Sequence, residues 1–491
     1  MRKIIILTFL SLLLISGNLY SQSYNWISSS EGKLWGQSKI SLEREIAGMP
    51  DLTIKESTPI LTFKAWGSCF NELGWDALNI LPGEEKEAIL KKLFASDGDM
   101  KFTLGRIPMN ANDYARDWYS CDEVPGDFDL KHFNITRDQK TLIPYIKSAQ
   151  RYNPNMSFWV SPWCPPSWMK INQDYPVRSD KKYNELPEEK DNYLNGNMGP
   201  RSDNLFPREL ALNDFMIQDA HYLKTYANYF SKFISAYQEQ GIPIEQVMFQ
   251  NESWSYTPYP GCAWTPEGII RFHTEYLAPT LKVTHPNVSL YLGTINTNRY
   301  DIINQVLSDP RMSQIIQGVG VQWEGGQILS RLRDKYPQYK YVQTESECGR
   351  GTFDWKAGEH TFHLINHYLG NGCEEYTFWN VILCDNGTST WGWRQNALIQ
   401  VDSKTRTVNY TPEYYAVKHY TQYVVPGSVL IASKATGDDK KPILVFRTPE
   451  KKYVVIAGNF KGEPQALTIK LGERYLNVSL PAHSFNSFQM K

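Results

Sequence analysis

Residues 247–252 read Val247-Met248-Phe249-Gln250-Asn251-Glu252, an apolar run that ends in a carboxylate. The same pattern returns at Tyr341-Val342-Gln343-Thr344-Glu345. Both runs have the length of a strand and are nearly continuous in apolar character, which is typical of parallel strands covered on both faces. Each is therefore predicted to be a buried strand with a glutamate at its carboxyl end.

Eight such runs occur along the chain, and most are separated by stretches that are compatible with helices. They are Leu61–Trp66, Phe102–Ile107, Ser157–Ser161, Gln246–Gln250, Ser289–Gly293, Gly318–Trp323, Tyr339–Thr344 and Glu375–Trp379. Helices are predicted, for example, at Pro82–Phe94 and Asp219–Gln238. Alternating strands and helices in this number predict an α/β fold, a closed (β/α)8 TIM barrel whose functional loops follow the strands.

Both ends of the chain have a different, strand-rich pattern. Short alternating stretches occur before residue 60, and after Pro426-Gly427 several strand-like runs are separated by turn residues such as Gly437-Asp438-Asp439. This spacing is typical of an antiparallel sandwich. We therefore predict a side β-sandwich domain formed by residues 23–60 and 425–491, beside a barrel of residues 61–424.

Residues 1–22 have the order of a secretory signal. Met1-Arg2-Lys3 is followed by an uncharged apolar run from Ile4 to Ser16 and by small and polar residues. The run is shorter than the roughly 18–20 residues of a membrane-spanning helix. The sequence thus predicts an exported protein, secreted or periplasmic, without a membrane span.

The composition indicates which kinds of binding partner to expect. A formal net charge of −1 gives no electrostatic reason to expect nucleic acid or an anionic membrane as a partner. The 15 tryptophans and 30 tyrosines suit sugar binding, although such rings also fill cores. The seven cysteines lack metal-ligand spacing, so we expect no zinc site, mostly buried thiols and no particular disulfide. No cofactor is expected, and the oligomeric state is left open.

Glu252 and Glu345 are predicted to face each other, because they end strands four and seven of the barrel. Retaining glycoside hydrolysis needs two carboxyls about 5–5.5 Å apart. One attacks as an ionised nucleophile, and the other protonates the leaving group and then activates water. We assign Glu345 as the nucleophile and Glu252 as the general acid/base. Glu347 is a rival nucleophile past the strand end, and ordinary solvated or ion-paired carboxylates are the alternative interpretation of the pair.

Several motifs, in order along nearly the whole mature chain, resemble glycoside hydrolase family 30, which includes glucosylceramidases and bacterial β-1,6-glucanases. The motifs are Trp66-Gly67-Ser68-Cys69, Arg106-Ile107-Pro108-Met109 with Asp113, Ser161-Pro162-Trp163, Gln250-Asn251-Glu252, Gly318–Trp323, Thr344-Glu345 and Val425-Pro426-Gly427-Ser428. The resemblance implies an acid/base on strand four and a nucleophile on strand seven, which agrees with the assignment from the strand ends.

The resemblance also implies a set of substrate-binding residues. They are Arg106, Asp113, Trp163, Asn251, Trp323, Trp379 and Asn396. Asn251 is expected to bind the sugar 2-hydroxyl, Asp113 and Trp163 the far hydroxyls of a glucose in the −1 subsite, and Trp379 to lie under that sugar. Asn396 is expected to make a further hydroxyl contact, Arg106 to lie beside the nucleophile, and Trp323 to border the leaving group.

The chain departs from the family pattern near the leaving group. Ser253 replaces a proline, and Gln322 and Glu324 stand where glucosylceramidases have His and Tyr. We hypothesise that Glu324, if close, raises the pKa of the acid/base. The expected substrate is a β-linked glucoside (β-1,6-glucan or glucosylceramide-like). Alternatives are a β-xylanase, β-fucosidase or β-galactosidase of the same family, and a catalytically silent glycan-binding protein, against which the retained pair argues.

Overall fold

The computed structural model describes residues 23–46, 48–54, 59–180, 185–187 and 214–490, so the predicted signal at residues 1–22 lies outside the described residues. The strands are β1 Ser23–Ser30, β2 Lys33–Ser41, β3 Leu52–Thr53, β4 Leu61–Thr62, β5 Ala65–Cys69, β6 Leu104–Met109, β7 Ser157–Pro162, β8 Ile244–Met248, β9 Ser289–Ile295, β10 Gly318–Gln322, β11 Lys340–Glu345, β12 Glu375–Phe378, β13 Ile382–Cys384, β14 Ile399–Val401, β15 Val408–Tyr410, β16 Val429–Lys434, β17 Ile443–Arg447, β18 Tyr453–Asn459, β19 Gln465–Leu471, β20 Arg474–Leu480 and β21 Ser484–Met490.

The α-helices are α1 Glu72–Asn79, α2 Gly83–Phe94, α3 Leu142–Tyr152, α4 Ala220–Glu239, α5 Pro266–Arg271, α6 Ala278–Thr284, α7 Tyr300–Leu307, α8 Leu329–Lys335, α9 Trp355–Gly370 and α10 Pro412–Thr421. Several begin at a side chain that accepts a hydrogen bond from the first turn. Asp219 caps α4 in this way, and Thr411 caps α10 just before Pro412. These caps satisfy backbone N–H groups that have no partner within the helix.

Strands β5 to β12 close into the predicted barrel, with every neighbouring pair parallel. The predicted helices are confirmed as α2 and α4. Inside the barrel, Leu104, Trp159 and Val342 belong to one buried apolar cluster. Because side chains in a strand repeat every second residue, Arg106, Ser161 and Thr344 point into the barrel one layer nearer its carboxyl end.

The predicted first barrel strand, Leu61–Trp66, is wrong in its bounds. Leu61–Thr62 pairs with β16 in the side domain, and the barrel strand begins only at Ala65. The chain changes sheets between them, where the Phe63 N–H bonds to Ser428 and the Lys64 N–H to Glu374. The change of sheet coincides with a change of pattern that the prediction did not use: Leu61 and Phe63 alternate with the exposed Thr62 and Lys64, whereas every residue from Ala65 to Cys69 is buried.

The side domain is a sandwich built from both ends of the chain, as predicted. A seven-stranded sheet, in the order β2-β1-β21-β18-β17-β16-β4, packs on a three-stranded sheet of β20, β19 and β3. Ile443, Val455, Leu467 and Phe488 are buried between them. The serine-rich strand β1 and the last strand β21 carry no strong apolar signal, and neither is predicted from the sequence.

All seven cysteines lie within the described residues as unpaired thiols, six of them buried. None of the helices in the described ranges is long and apolar enough to cross a membrane.

Candidate active site

Arg106 and Glu345 form a buried ion pair at the carboxyl end of the barrel. The Arg106 Nη1 donates to Glu345 Oε2 at 2.6 Å, with side-chain exposures of 0% and 7%. The other carboxylate oxygen of Glu345 accepts from Trp323 Nε1 at 3.0 Å. Glu345 is thus held by a cation and an indole, which leaves it little freedom to rotate.

Asn251 and Glu252 follow β8 and join the same network. Arg106 Nη2 donates to Asn251 Oδ1 at 2.7 Å, so one guanidinium bridges strands four and seven of the barrel. Gln322 Nε2 donates to Glu252 Oε1 at 3.2 Å and to Asn251 Oδ1 at 3.3 Å. The backbone N–H of Glu252 donates to Thr294 Oγ1 at 3.2 Å. The two glutamates therefore belong to one hydrogen-bonded set.

The backbone is strained at two of these positions. Glu252 has a φ of 54° and Trp323 a φ of 48°, in the left-handed region that side chains other than glycine rarely adopt. Each follows a barrel strand, and each side chain turns toward the network around Glu345. Strain of this kind concentrates at functional sites, because the surrounding contacts must hold it in place.

The electrostatics of the site are set by burial and by the closeness of three carboxyls. Burial raises the pKa of Glu345, which Arg106 lowers and Glu252 raises further. Burial and the nearby Glu345 raise the pKa of Asp113 well above its usual range. Asp113 therefore tends to keep its proton, and a protonated carboxyl can donate a hydrogen bond to a ligand hydroxyl.

Aromatic rings form the floor beside these groups. Trp163 and Trp379 are buried and stack with centroids 5.2 Å apart and planes 28° apart. The Arg106 guanidinium lies 4.3 Å from the centroid of Trp163 and 5.3 Å from that of Trp379. The Trp379 Nε1 has no acceptor among the described residues. A flat apolar floor with polar groups around it is suited to a sugar ring, which has apolar faces and polar edges.

Three further residues named in the sequence analysis have other surroundings: Glu347, Glu324 and Asn396. Glu347 is bound by His360 Nε2 at 3.0 Å, on the side of α9, so it does not compete with Glu345 for Arg106. Glu324 is exposed, and the neutral amide of Gln322 contacts Glu252. Asn396 is buried, but its Oδ1 accepts from the backbone N–H of Thr352 at 2.9 Å. The structure thus brings Arg106, Asp113, Trp163, Asn251, Glu252, Trp323, Glu345 and Trp379 to one place. The Oδ1 of Asn396 binds a neighbouring loop, and its hydroxyl contact stays a prediction.

Sequence reasoning missed four polar residues of the site. Ser161 accepts from Arg106, Thr294 donates to Asn251, and Thr344 donates to Gln322 Oε1 at 2.8 Å. Gln322 was noted only as a departure from the family pattern. All four lie at or near the carboxyl end of a barrel strand, so that position was the signal that could have found them.

The described ranges contain no group of histidine, cysteine, aspartate and glutamate side chains arranged to hold a metal ion. What the arrangement offers chemically is a pair of carboxyls, one held by a cation and one by a neutral amide, above an aromatic floor.

Comparison with known proteins agrees with this fold. The model of the glycosyl hydrolase family 30 TIM-barrel domain matches residues 63–193 and 214–424, and that of the family 30 β-sandwich domain matches residues 427–488. The chain is 25% identical to the lysosomal acid glucosylceramidase of Mus musculus over 469 residues, which is 89% of this chain and 82% of that protein.

Two further likenesses cover most of the chain. The endo-1,6-β-D-glucanase of Neurospora crassa is 22% identical over 435 residues, 83% of this chain and 81% of that protein. The structure of SrfJ from Salmonella typhimurium superposes with a TM-score of 0.81 at 19% identity, covering 96% of this chain and all of that one. The chain belongs to glycosyl hydrolase family 30 and is a glycoside hydrolase.

Proposed function

We propose that this glycoside hydrolase cleaves β-linked glucosides with retention of configuration, with Glu345 as nucleophile and Glu252 as general acid/base. The observation that carries the proposal is the unequal surroundings of the two carboxyls. Arg106 donates to Glu345 at 2.6 Å, whereas Glu252 accepts from the neutral amide of Gln322. A cation favours the ionised form that a nucleophile needs, and the other carboxyl has no such partner in the network.

The reaction has two displacements in this proposal. Glu345 Oε attacks the anomeric carbon while Glu252 gives its proton to the departing glycosidic oxygen, which leaves as an alcohol. Water then attacks the glycosyl–Glu345 ester, and the ionised Glu252 takes one of its protons. Glu345 leaves as a carboxylate and Glu252 is protonated again, so the enzyme returns to its starting state.

A glucose-configured sugar is the proposed occupant of the −1 subsite. In this proposal Asp113, near enough to Glu345 for that carboxyl to raise its pKa, and Trp163, 4.3 Å from the Arg106 guanidinium, bind the far hydroxyls. Asn251, next to Glu252, binds the 2-hydroxyl. The relatives named above act on glucosylceramide or on β-1,6-glucan by their names. We therefore propose a β-glucoside of one of these two kinds as substrate.

The test is a panel of aryl β-glycosides and β-linked polysaccharides, with the first-formed product anomer followed by NMR. We expect turnover of the β-glucoside and a β-anomer that only later mutarotates. An α-anomer as first product would overturn the retaining mechanism, and preference for a β-xyloside, β-fucoside or β-galactoside would overturn the assignment of the sugar. Glu252→Gln is expected to slow the reaction least for aryl groups that leave without protonation.

We also propose that the protein is exported, on the basis of the charged start, apolar run and small residues of its first 22 positions. Determining the N-terminal sequence of the protein from the producing cell tests this. An N-terminus at Met1 would contradict it.

A further inference from the structure

Five half-buried aromatic side chains form a connected cluster near the mouth of the barrel, which we call the aromatic cluster: Trp118, Tyr175, Tyr259, Trp391 and Trp393. The Trp118 ring lies 6.1 Å from Tyr175 and 5.9 Å from Trp391. Tyr259 stacks on Trp391 at 6.1 Å with planes 13° apart, and contacts Trp393 edge-on at 6.3 Å. The rings therefore form one surface although they are far apart in sequence.

Four different loops supply this cluster; a backbone hydrogen bond joins two of them, and another closes a turn within a third. The loops after β6, β7, β8 and β13 carry the rings. The Gly261 N–H donates to the Tyr175 carbonyl at 3.0 Å. The Ser389 N–H donates to the Trp393 carbonyl at 2.6 Å, which closes a turn. The loops that carry Tyr175 and Tyr259 are thus joined through their backbones, and the loop that carries Trp391 and Trp393 is closed on itself.

The aromatic cluster is continuous with the candidate active site on the side of Asp113. Tyr114, the next residue, contacts Trp379 of the floor at 6.3 Å and donates from its hydroxyl to the Gly387 carbonyl at 2.8 Å. Thr390 Oγ1 donates to the Ala115 carbonyl at 2.7 Å. The loop that carries Asp113 is thus bonded directly to the loop that carries Trp391.

The composition of the cluster favours a sugar over a lipid. Its members are all tryptophan or tyrosine, whose rings combine an apolar face with a polar edge. The Trp391 Nε1 has no acceptor in the described part of the chain. The exposed large aliphatic and phenylalanine side chains of that part, which a lipid surface would use, are not members: Leu34, Met49, Val124, Phe128 and Val283.

We propose that the aromatic cluster binds a second glucosyl unit next to the −1 subsite, on its non-reducing side. This proposal rests on the proposed function, which places the far hydroxyls of the −1 sugar against Asp113 and the leaving group against Glu252. A sugar attached through a far hydroxyl would then continue toward the cluster. The substrate class is accordingly a β-linked gluco-oligosaccharide or glucan rather than a monoglucoside of a lipid.

The test compares two aryl substrates, an aryl β-glucoside and the same compound extended by a β-1,6-linked glucose. We expect the wild type to prefer the longer substrate, and Trp391→Ala to lower the ratio of the two kcat/KM values about fivefold to tenfold. Trp391→Phe keeps an aromatic ring, so its ratio of the two kcat/KM values is expected to stay close to that of the wild type. Phe128→Ala is the matched control, because Phe128 is a 38% exposed ring whose contacts are with Trp168, His221 and Tyr222.

The outcomes separate this proposal from the proposed function. If the wild type hydrolyses the aryl β-glucoside but Trp391→Ala leaves the ratio unchanged, the second subsite is wrong and the glucosidase assignment stands. If the wild type hydrolyses neither substrate, the second subsite is tested by binding instead: calorimetry measures the affinity of Glu345→Gln protein for the longer substrate. Binding that is lost in the Glu345→Gln/Trp391→Ala protein supports the subsite, and binding that is kept overturns it. A preference for long-chain alkyl glucosides that Trp391→Ala abolishes would assign the cluster to lipid and overturn the proposal.

Discussion

Glu345 and Glu413 are both buried glutamates of the barrel domain, with exposures of 6% and 1%, yet their surroundings differ completely. Glu345 has a hydrogen bond on each oxygen, from Arg106 and from Trp323. Glu413, in the first turn of α10, accepts from Thr361 Oγ1 at 3.3 Å, and its other oxygen has no donor in the described part of the chain.

The difference shows in acidity and in freedom to react. Burial raises the pKa of Glu413 to about 8, although Asn396 and Thr361 act to lower it. Burial also raises the pKa of Glu345, but there Arg106 opposes it. Burial alone makes a carboxyl a weak acid, whereas burial beside a cation at the barrel mouth makes it a candidate nucleophile. The comparison can be tested at four points.

The largest expected effect is the loss of activity in Glu345→Gln, about 10⁴-fold or more in kcat, because no other group in the network takes the place of a nucleophile. Glu413→Gln is the matched control and is expected to stay within about threefold of the wild type. Aryl β-glucoside turnover measures both. Equal losses in the two variants would break the distinction between the two glutamates.

Arg106→Met is expected to lower kcat/KM about 10²- to 10³-fold, since it removes the cation that stabilises ionised Glu345. Because Arg106 lowers the pKa of Glu345, its removal raises that pKa, and the acid limb of the pH–rate profile moves to higher pH. Arg106→Lys retains the charge and should move the limb less. A profile that keeps its position in Arg106→Met would show that the ion pair does not control the nucleophile.

Gln322→Leu removes the amide that donates to Glu252 and Asn251. Each lost hydrogen bond corresponds to at most about a tenfold fall in kcat/KM, so the loss of both is expected to lower it about tenfold to a hundredfold. The fall should be larger for aryl groups that need protonation to leave, since the acid/base acts on those. Gln322→His restores a donor and should recover part of the activity. A fall that is equal for all leaving groups would indicate general damage to the site.

The smallest expected effect is on stability. Because the folded-state pKa of Glu413 is about 8 and its ordinary value about 4.3, the folded protein holds one more proton there between these pH values. Wild-type stability therefore falls as the pH rises through this window, by at most about 1.4 kcal/mol per pH unit from this group. Urea unfolding at pH 5 to 9 should show the gain of Glu413→Gln over the wild type growing up to about pH 8. A pH-independent gain would contradict the raised pKa of the buried Glu413.

Much of the fold was predictable because it depends on local patterns. Seven of the eight barrel strands were predicted at nearly their observed positions, since each is a short buried run between turn residues or helices. The bounds of the first strand were wrong, because Leu61–Thr62 and Ala65–Cys69 are strands of two different sheets that only two residues separate. Strands β1 and β21 pair with each other across the whole length of the chain, and no local pattern marks them.

The sequence predicted which residues belong to the site better than it predicted the hydrogen bonds between them. The positions of Glu252 and Glu345 at strand ends follow from the chain alone, because in a barrel all strands end at one face. Asn396 shows the limit, since its Oδ1 accepts from the backbone N–H of Thr352, a contact that the sequence did not predict. That orientation depends on the path of the loop around it, which residue type and order do not specify.

The sequence by itself determined the barrel, the sandwich from both chain ends and the pair of carboxylates at one face, because periodicity and strand order are properties of the chain. Only the tertiary structure decided that Arg106 bridges Glu345 and Asn251, that Gln322 holds Glu252, and that four loops bring five rings together. These contacts join residues far apart in sequence. They form only when the barrel closes and the left-handed backbone at Glu252 and Trp323 turns those side chains inward.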